Sequence, residues 1–300
     1  MGKPLRLCLL TSDPDGWHTK DLCRAAKELS LDLVIAGFAA LRGRVGGCDL
    51  MDRERGDLDA LLVRSMGGAS LEQVIFRMDL LLEYERAGVP IVNPPRAIEA
   101  CVDKFLALRR AEAAGLSIPR TRVSQSQSDA LRDFDDLGGD VVLKPLFGSC
   151  GRGMVRLSER EIAARAYASL EDLSLVIHQQ EFIAHPDGDL RVLVIGGEAI
   201  LSMRRKPARD AAARGEWRAN VARGGEAIPH SLSREEAELA VRAATSVGAL
   251  VAGVDLIPAR DGRLLLAEVN SAPGWRALAR VSGVDVAKRV VEFVTQKARR

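Results

Sequence analysis

Aromatic residues are scarce in this 300-residue sequence: three Trp, two Tyr and seven Phe make up 4% of it. So few rings offer little surface for stacking unpaired bases, which weighs against a single-strand nucleic-acid binder. Charge of one sign is lacking too. The 43 basic and 41 acidic residues leave a net +2, too little by itself to steer a polyanion or a membrane surface. Nothing approaches the roughly 18 apolar residues of a membrane span. The N-terminal run LRLCLLT is too short for a signal peptide, and Arg6 stands where a myristoylation pattern wants Ser or Thr. Five cysteines include no C-x-x-C pair and four histidines no H-x-x-x-H, which argues against a zinc site or a disulfide framework. These absences point to a reducing, cytoplasmic protein.

What is there is an ordinary globular composition, 47% hydrophobic and 28% charged, in a chain long enough for two or three packed units. The stretch LLLAEVNSAPG, residues 264–274, organises the rest. As a strand it sends Glu268 and Asn270 to one face, because side chains alternate with a period of two. Residues 251–258 (VAGVDLIP) read as its hairpin partner across the Asp261-Gly262 turn, which sets Asp255 beside that pair. Asp, Glu and Asn supply hard oxygens that suit Mg²⁺, with Mn²⁺ as an alternative. Taken alone, the same pattern also describes an edge hairpin with solvated acids.

Upstream, residues 5–11, 32–38, 58–63 and 89–92 read as short buried strands. Helical spacing at 18–29, and at 71–87 with a Ser70/Gln73 capping box, alternates with them, so a parallel sheet is expected. Asn93-Pro94-Pro95 marks a domain boundary. Residues 96–115 follow as one helix carrying Lys104 and stopped by Gly115. Residues 140–145 (DVVLKP) form a strand presenting Lys144, and LFGSCGRG leads to a return strand at 154–157. In that loop Gly148, Gly151 and Gly153 free the backbone to turn amides toward an anion. A flexible hairpin would share this pattern, and the loop is not a P-loop, which runs from strand to helix. Gln180-Glu181-Phe182-Ile183 ends another strand where backbone groups could meet an adenine edge. Residues 189–195 and 198–202 read as a hairpin on Gly196-Gly197. Seven basic residues stand between Arg204 and Arg223 against Asp210 and Glu216, a local positive patch. Residues 233–250 and 285–300 close the chain as helices.

From about Asn93 to Gly274 these parts, in this order, resemble the ATP-grasp ligases and within them the RimK-like group. The residues that carry the resemblance are Asp103-Lys104, the VLKP run with GSCGRG after it, Gln180 to Ile183, Asp189-Leu190-Arg191, Arg218-Ala219-Asn220, Gly224-Gly225, Asp255 and Glu268-Val269-Asn270. The stretch SLEQVIFRMD with Asn93-Pro94 looks like the branch that includes tetrahydromethanopterin:α-L-glutamate ligase. Cys150, and Ala219 where Ser is often seen, depart from the family pattern.

The resemblance implies an α/β chain with a pre-ATP-grasp parallel-sheet domain (1–95), a small lobe with the glycine loop (96–183) and a C-terminal lobe with the metal site (184–300). It implies that ATP is held by Lys104, Lys144, Gly148, Ser149, Gly151, Gly153, the Gln180-Glu181-Phe182-Ile183 segment, Asp189, Arg218 and Asn220, and that Mg²⁺ is held by Asp255, Glu268 and Asn270. The expected activity is a carbon–nitrogen ligation through an acyl phosphate, adding L-glutamate to a carboxylate acceptor such as a tetrahydromethanopterin-type pterin or a polypeptide C-terminus. Arg218 is the candidate donor to the tetrahedral oxyanion. Arg64, Arg204 and Arg205 are candidates for substrate carboxylates, which favour forked guanidinium partners. Homo-oligomers are common in the family. A non-catalytic nucleotide-binding regulator and an RNA-associated protein using the basic patch remain as readings of other classes.

Overall fold

The apolar run near the start of the chain becomes β1 (Arg6–Leu10), which pairs in parallel with β2 (Asp32–Ala36). The computed structural model describes residues 5–50, 53–54, 58–148, 152–208, 216–219 and 224–299. Helix α1 (Trp17–Glu28) makes the crossover from β1 to β2, burying Leu22, Ala25 and Ala26. After a small antiparallel insertion, β3 (Leu41–Arg44), β4 (Gly47–Leu50) and β5 (Arg53–Glu54), the chain returns as β6 (Ala60–Val63), on the other side of β1. The insertion had no sequence signal, since its strands are short, polar and without alternation. Helix α2 (Leu71–Arg86) starts at the Ser70/Gln73 capping box, and β7 (Ile91–Val92) completes the parallel sheet in the order β2-β1-β6-β7.

The single helix expected over 96–115 is two helices, α3 (Pro95–Val102) and α4 (Lys104–Ala113). Asp103 breaks it: its backbone is extended (φ −86°, ψ 102°), and its carboxylate accepts the Leu106 amide at 3.0 Å as the N-cap of α4. The break sets Lys104 in the first turn of a new helix, facing the glycine loop.

A second sheet, fully antiparallel, is built from β8 (Thr121–Ser124), β9 (Val141–Lys144), β10 (Val155–Leu157) and β11 (Ile177–Glu181) in the order β10-β9-β11-β8. Its back is covered by α5 (Gln127–Asp136) and α6 (Arg160–Asp172), with Phe134, Val141, Leu143, Tyr167 and Ile177 in the core. Strand alternation therefore turns Val142, Lys144, His178 and Gln180 to the opposite face. Helix α5 is capped by Ser126, whose hydroxyl accepts the Asp129 amide.

The third sheet is antiparallel and five-stranded: β14 (Glu226–Pro229), β13 (Glu198–Lys206), β12 (Asp189–Ile195), β15 (Val251–Pro258), β16 (Leu264–Asn270), in that spatial order. Helix α7 (Arg234–Ser246) packs on Val192, Val194, Ala252 and Val254. On the other face Leu193, Ile195, Met203 and Val251 share one core with α1, the parallel sheet, α8 (Arg276–Ser282) and α9 (Val286–Ala298), with Trp275 fully buried at its centre. Asn93 fastens the two sheets at this seam. Its amide donates to the carbonyls of Val251 (2.7 Å) and Ser271 (2.5 Å) and accepts from the amides of Leu250 and Val251.

Candidate active site

Across the β15/β16 hairpin Asp255 stands opposite Glu268, and Gly253 opposite Asn270, with a register shift after Asp255. Asp255 is 6% exposed. It accepts from both Nε and Nη2 of Arg191, its register partner on β12, the latter at 2.7 Å, and from Arg205 Nη2 on β13 at 3.0 Å. Arg205 Nε in turn donates to Asp189 at 2.6 Å. Burial works to raise the Asp255 carboxyl, but the two guanidinium groups outweigh it and hold it below its ordinary range. The result is a closed buried chain of charge. Glu268 is less committed: its ion pair among the described residues is with Lys104 Nζ, 3.8 Å away.

The facing wall is the free side of the second sheet. Lys144 donates to Gln180 Oε1 at 2.6 Å, and the Gln180 amide donates on to Thr121 Oγ1 at 2.9 Å. Burial pushes the Lys144 ammonium down to about 8. Lys104 reaches across to the Gly148 carbonyl at 2.7 Å, so the two lysines stand at the mouth of the glycine loop. Gly148 and Gly153 both adopt positive φ (+148° and +72°), and a Cβ on Gly153 would meet Pro145 Cγ at 2.8 Å. Glycine is therefore required where this loop closes.

Between the walls lies a cleft of about 770 Å³, counting its open mouth. At its far end Phe182 is held between the Arg156 guanidinium, 3.6 Å from the ring centre, and the edge of Trp217 at 5.7 Å. The backbone of Glu181 and Phe182 is pinned by amide bonds to the carbonyls of Arg120 and Asp140, both 2.9 Å. Arg218 borders the cleft, gripped by Glu216 (2.7 and 2.6 Å) and donating to the Met154 carbonyl at 3.2 Å.

Lys104, Lys144, Gln180, Glu181, Phe182, Ile183, Asp189, Arg205, Arg218, Asp255 and Glu268 thus converge on one cleft. Ser149, Gly151 and Asn220, with Cys150, lie outside the described residues. Asn270 points to the hairpin partner, its amide 3.4 Å from the Gly253 carbonyl. Two arginines read from the sequence as substrate ligands have other surroundings. Arg205 is spent on Asp189 and Asp255, and Arg204, its neighbour on β13, alternates to the opposite face. Arg64 lies at the end of β6, away from the cleft lining. It donates to the Pro273 carbonyl at 2.8 Å, stacks 4.4 Å from the Trp275 ring centre, and is pushed down to about 10 by burial. Arg191 was missed as a site residue, because its role depends on a partner 64 positions away.

The donor set here is all oxygen. Among the described residues no three His, Cys, Asp or Glu side chains gather, so a divalent cation would take two carboxylates and complete its shell from phosphate, amide and water oxygens, as Mg²⁺ does. The lysines opposite fit the phosphates of such a nucleotide.

Residues 101–294 match the family model of the RimK-like ATP-grasp domain. The chain is 32% identical to a tetrahydromethanopterin:α-L-glutamate ligase of Methanosarcina acetivorans, over 96% of this chain and 98% of that one. It is 36% identical to a probable α-L-glutamate ligase of Thioalkalivibrio sulfidiphilus, over 98% and 97%. Among solved structures, the ATP-grasp ligase PsnB complexed with minimal precursor, Mg and ADP superposes with a TM-score of 0.73 at 22% identity, covering 98% of both chains.

Proposed function

The chain belongs to the RimK-like ATP-grasp family of carbon–nitrogen ligases, and from that premise we propose that it joins L-glutamate, through its α-amino group, to a carboxylate of a small coenzyme, a tetrahydromethanopterin-type pterin being the acceptor class. The observation that carries the reading is the cleft itself: Asp255 and Glu268 on one wall face Lys144 on the other, and Lys104 reaches across from α4 to the glycine loop, in a chain aligned end to end with glutamate ligases.

A carboxylate is a poor electrophile, so one of its oxygens first attacks the γ-phosphorus of ATP, and ADP leaves with the electron pair of the broken P–O bond. The glutamate nitrogen then attacks the acyl phosphate carbonyl; phosphate leaves, the nitrogen loses a proton, and an amide remains. Lys104 and Lys144 hold phosphate oxygens through both steps. Mg²⁺ on Asp255, Glu268 and Asn270 would neutralise charge on those oxygens. Arg218, held by Glu216 at the cleft border, donates to the tetrahedral oxyanion. Arg64 is our candidate for the acceptor: among the described residues it has no carboxylate partner, one backbone acceptor and a Trp275 floor, so a substrate carboxylate would complete its fork.

The test is ADP release with ATP, Mg²⁺ and each of the twenty amino acids in the presence of a small-molecule extract. Glutamate should stimulate release, and Arg64→Ala should raise the extract concentration needed without changing ATP affinity. Stimulation by a neutral or basic amino acid in place of glutamate would contradict the donor assignment while leaving the ligase family intact.

A further inference from the structure

β11 carries a histidine that the chemistry above leaves unused. His178 is 0% exposed, and among the described residues neither ring nitrogen has a hydrogen-bond partner on another residue. Its neighbour Gln179 shows what a satisfied polar group looks like here: it accepts from Tyr167 Oη at 2.6 Å and donates to the Ala130 carbonyl at 2.8 Å. A buried imidazole with both nitrogens unmatched costs folding free energy that a leucine would not, so its presence points to a partner that comes into play with a ligand.

The register identifies that partner. His178 stands directly opposite Lys144, while Gln180 is Lys144's diagonal neighbour on the same face. Directly opposed side chains on antiparallel strands have Cβ atoms about 4.5–5.5 Å apart. The Lys144 ammonium has three N–H donors, of which one goes to Gln180 Oε1 at 2.6 Å. Burial, with the positive field of Lys144 and then Lys104, pushes His178 down to about 3. The imidazole is therefore neutral and keeps a lone pair to offer.

We propose that His178 is a positioning residue for the nucleotide: one ring nitrogen accepts the second N–H of Lys144, leaving the third for a phosphate oxygen. Lys144 then stands on a tripod of Gln180, His178 and phosphate. The inference rests on the reading of this cleft as the nucleotide site.

The test compares His178→Leu, His178→Asn and His178→Gln in calorimetric titrations with ATP, ADP and adenosine, and in thermal unfolding without nucleotide. Leucine removes the acceptor and keeps the packing, so the Tm of the free protein should hold or rise. ATP and ADP affinity should fall about tenfold, the scale of one hydrogen bond to a charged group, with adenosine unaffected. Asparagine or glutamine, each placing an acceptor near one ring nitrogen, should restore most of the loss in one of the two cases. On a Lys144→Met background His178→Leu should change nothing further. Wild-type ATP affinity in the leucine variant, an equal loss for adenosine, or asparagine and glutamine both as weak as leucine would overturn the proposal. If the leucine variant does not fold, the other two decide: one near wild type and one weaker supports it, equal affinities overturn it. A wild-type protein that binds no ATP would instead sink the nucleotide reading itself.

Discussion

The two walls of the cleft are built on opposite plans. On the five-stranded sheet Arg191, Asp255, Arg205 and Asp189 form a closed chain in which each charge already has its counterion. On the four-stranded sheet, among the described residues, Lys144 has donors to spare and His178 has no partner for its ring nitrogens, and the glycine loop depends on positive-φ positions. One wall is finished before a ligand arrives, and the other is finished by it. A buried ion pair is costly to break because the surviving partner is stranded, so the first wall makes a rigid reference.

The sharpest way to break this contrast is at Asp255. Asp255→Ala strands the Arg191 guanidinium and leaves buried Arg205 with Asp189 alone, and should cost about 3–5 kcal/mol of folding stability, read from urea denaturation, along with all turnover. Because the arginines hold this carboxyl below its ordinary 3.8, the stability it contributes is present above that value and fades as pH falls through its depressed pKa. Asp255→Asn should remove that acid limb, and an unchanged limb would mean that the pair contributes nothing. Glu268→Gln comes next: the ion pair of Glu268 among the described residues is a long one, 3.8 Å to Lys104, so the fold should survive while Mg²⁺-dependent ADP release falls about a hundredfold or more. Wild-type turnover with wild-type metal dependence in that variant would remove the metal assignment.

On the unfinished wall the expected signature is a pH effect. Lys144 sits near 8 in the free protein, so it is charged below that value and binds phosphate without further cost. Above it the ammonium must first regain its proton, and ATP affinity should decline as pH rises. Lys144→Arg, charged throughout, should flatten the profile; a flat wild-type profile would contradict the assignment. The smallest effect belongs to Arg204, which alternates away from Arg205 and the cleft. Arg204→Ala should leave stability within about 0.5 kcal/mol and acceptor dependence unchanged, whereas a raised acceptor requirement would return it to the site.

How legible all this was in the sequence follows from distance along the chain. The acid hairpin could be read because a period of two and a short Asp-Gly turn bring Asp255 and Glu268 together locally. The capping box at Ser70 was visible for the same reason. The break at Asp103 was hidden inside good helical spacing, since a cap and a solvated helix acid look alike until the backbone is seen. The ion pairs of Arg205 and Arg191 could not be read, because only the pairing of β12, β13 and β15 brings them to Asp255. His178 carried no signal at all: its meaning lies in which residue faces it across a sheet and in what it does not bond.

The central claim, glutamate ligation onto a small carboxylate acceptor, is tested most directly by incubating the protein with ATP, Mg²⁺, ¹⁵N-labelled L-glutamate and a whole-cell extract divided into small-molecule and polypeptide fractions, then reading products by mass spectrometry. The account predicts a small-molecule product heavier by one glutamate residue, with the label in a new amide and ADP formed in step. Label appearing only in the polypeptide fraction, or ADP formed without any labelled amide, would contradict it.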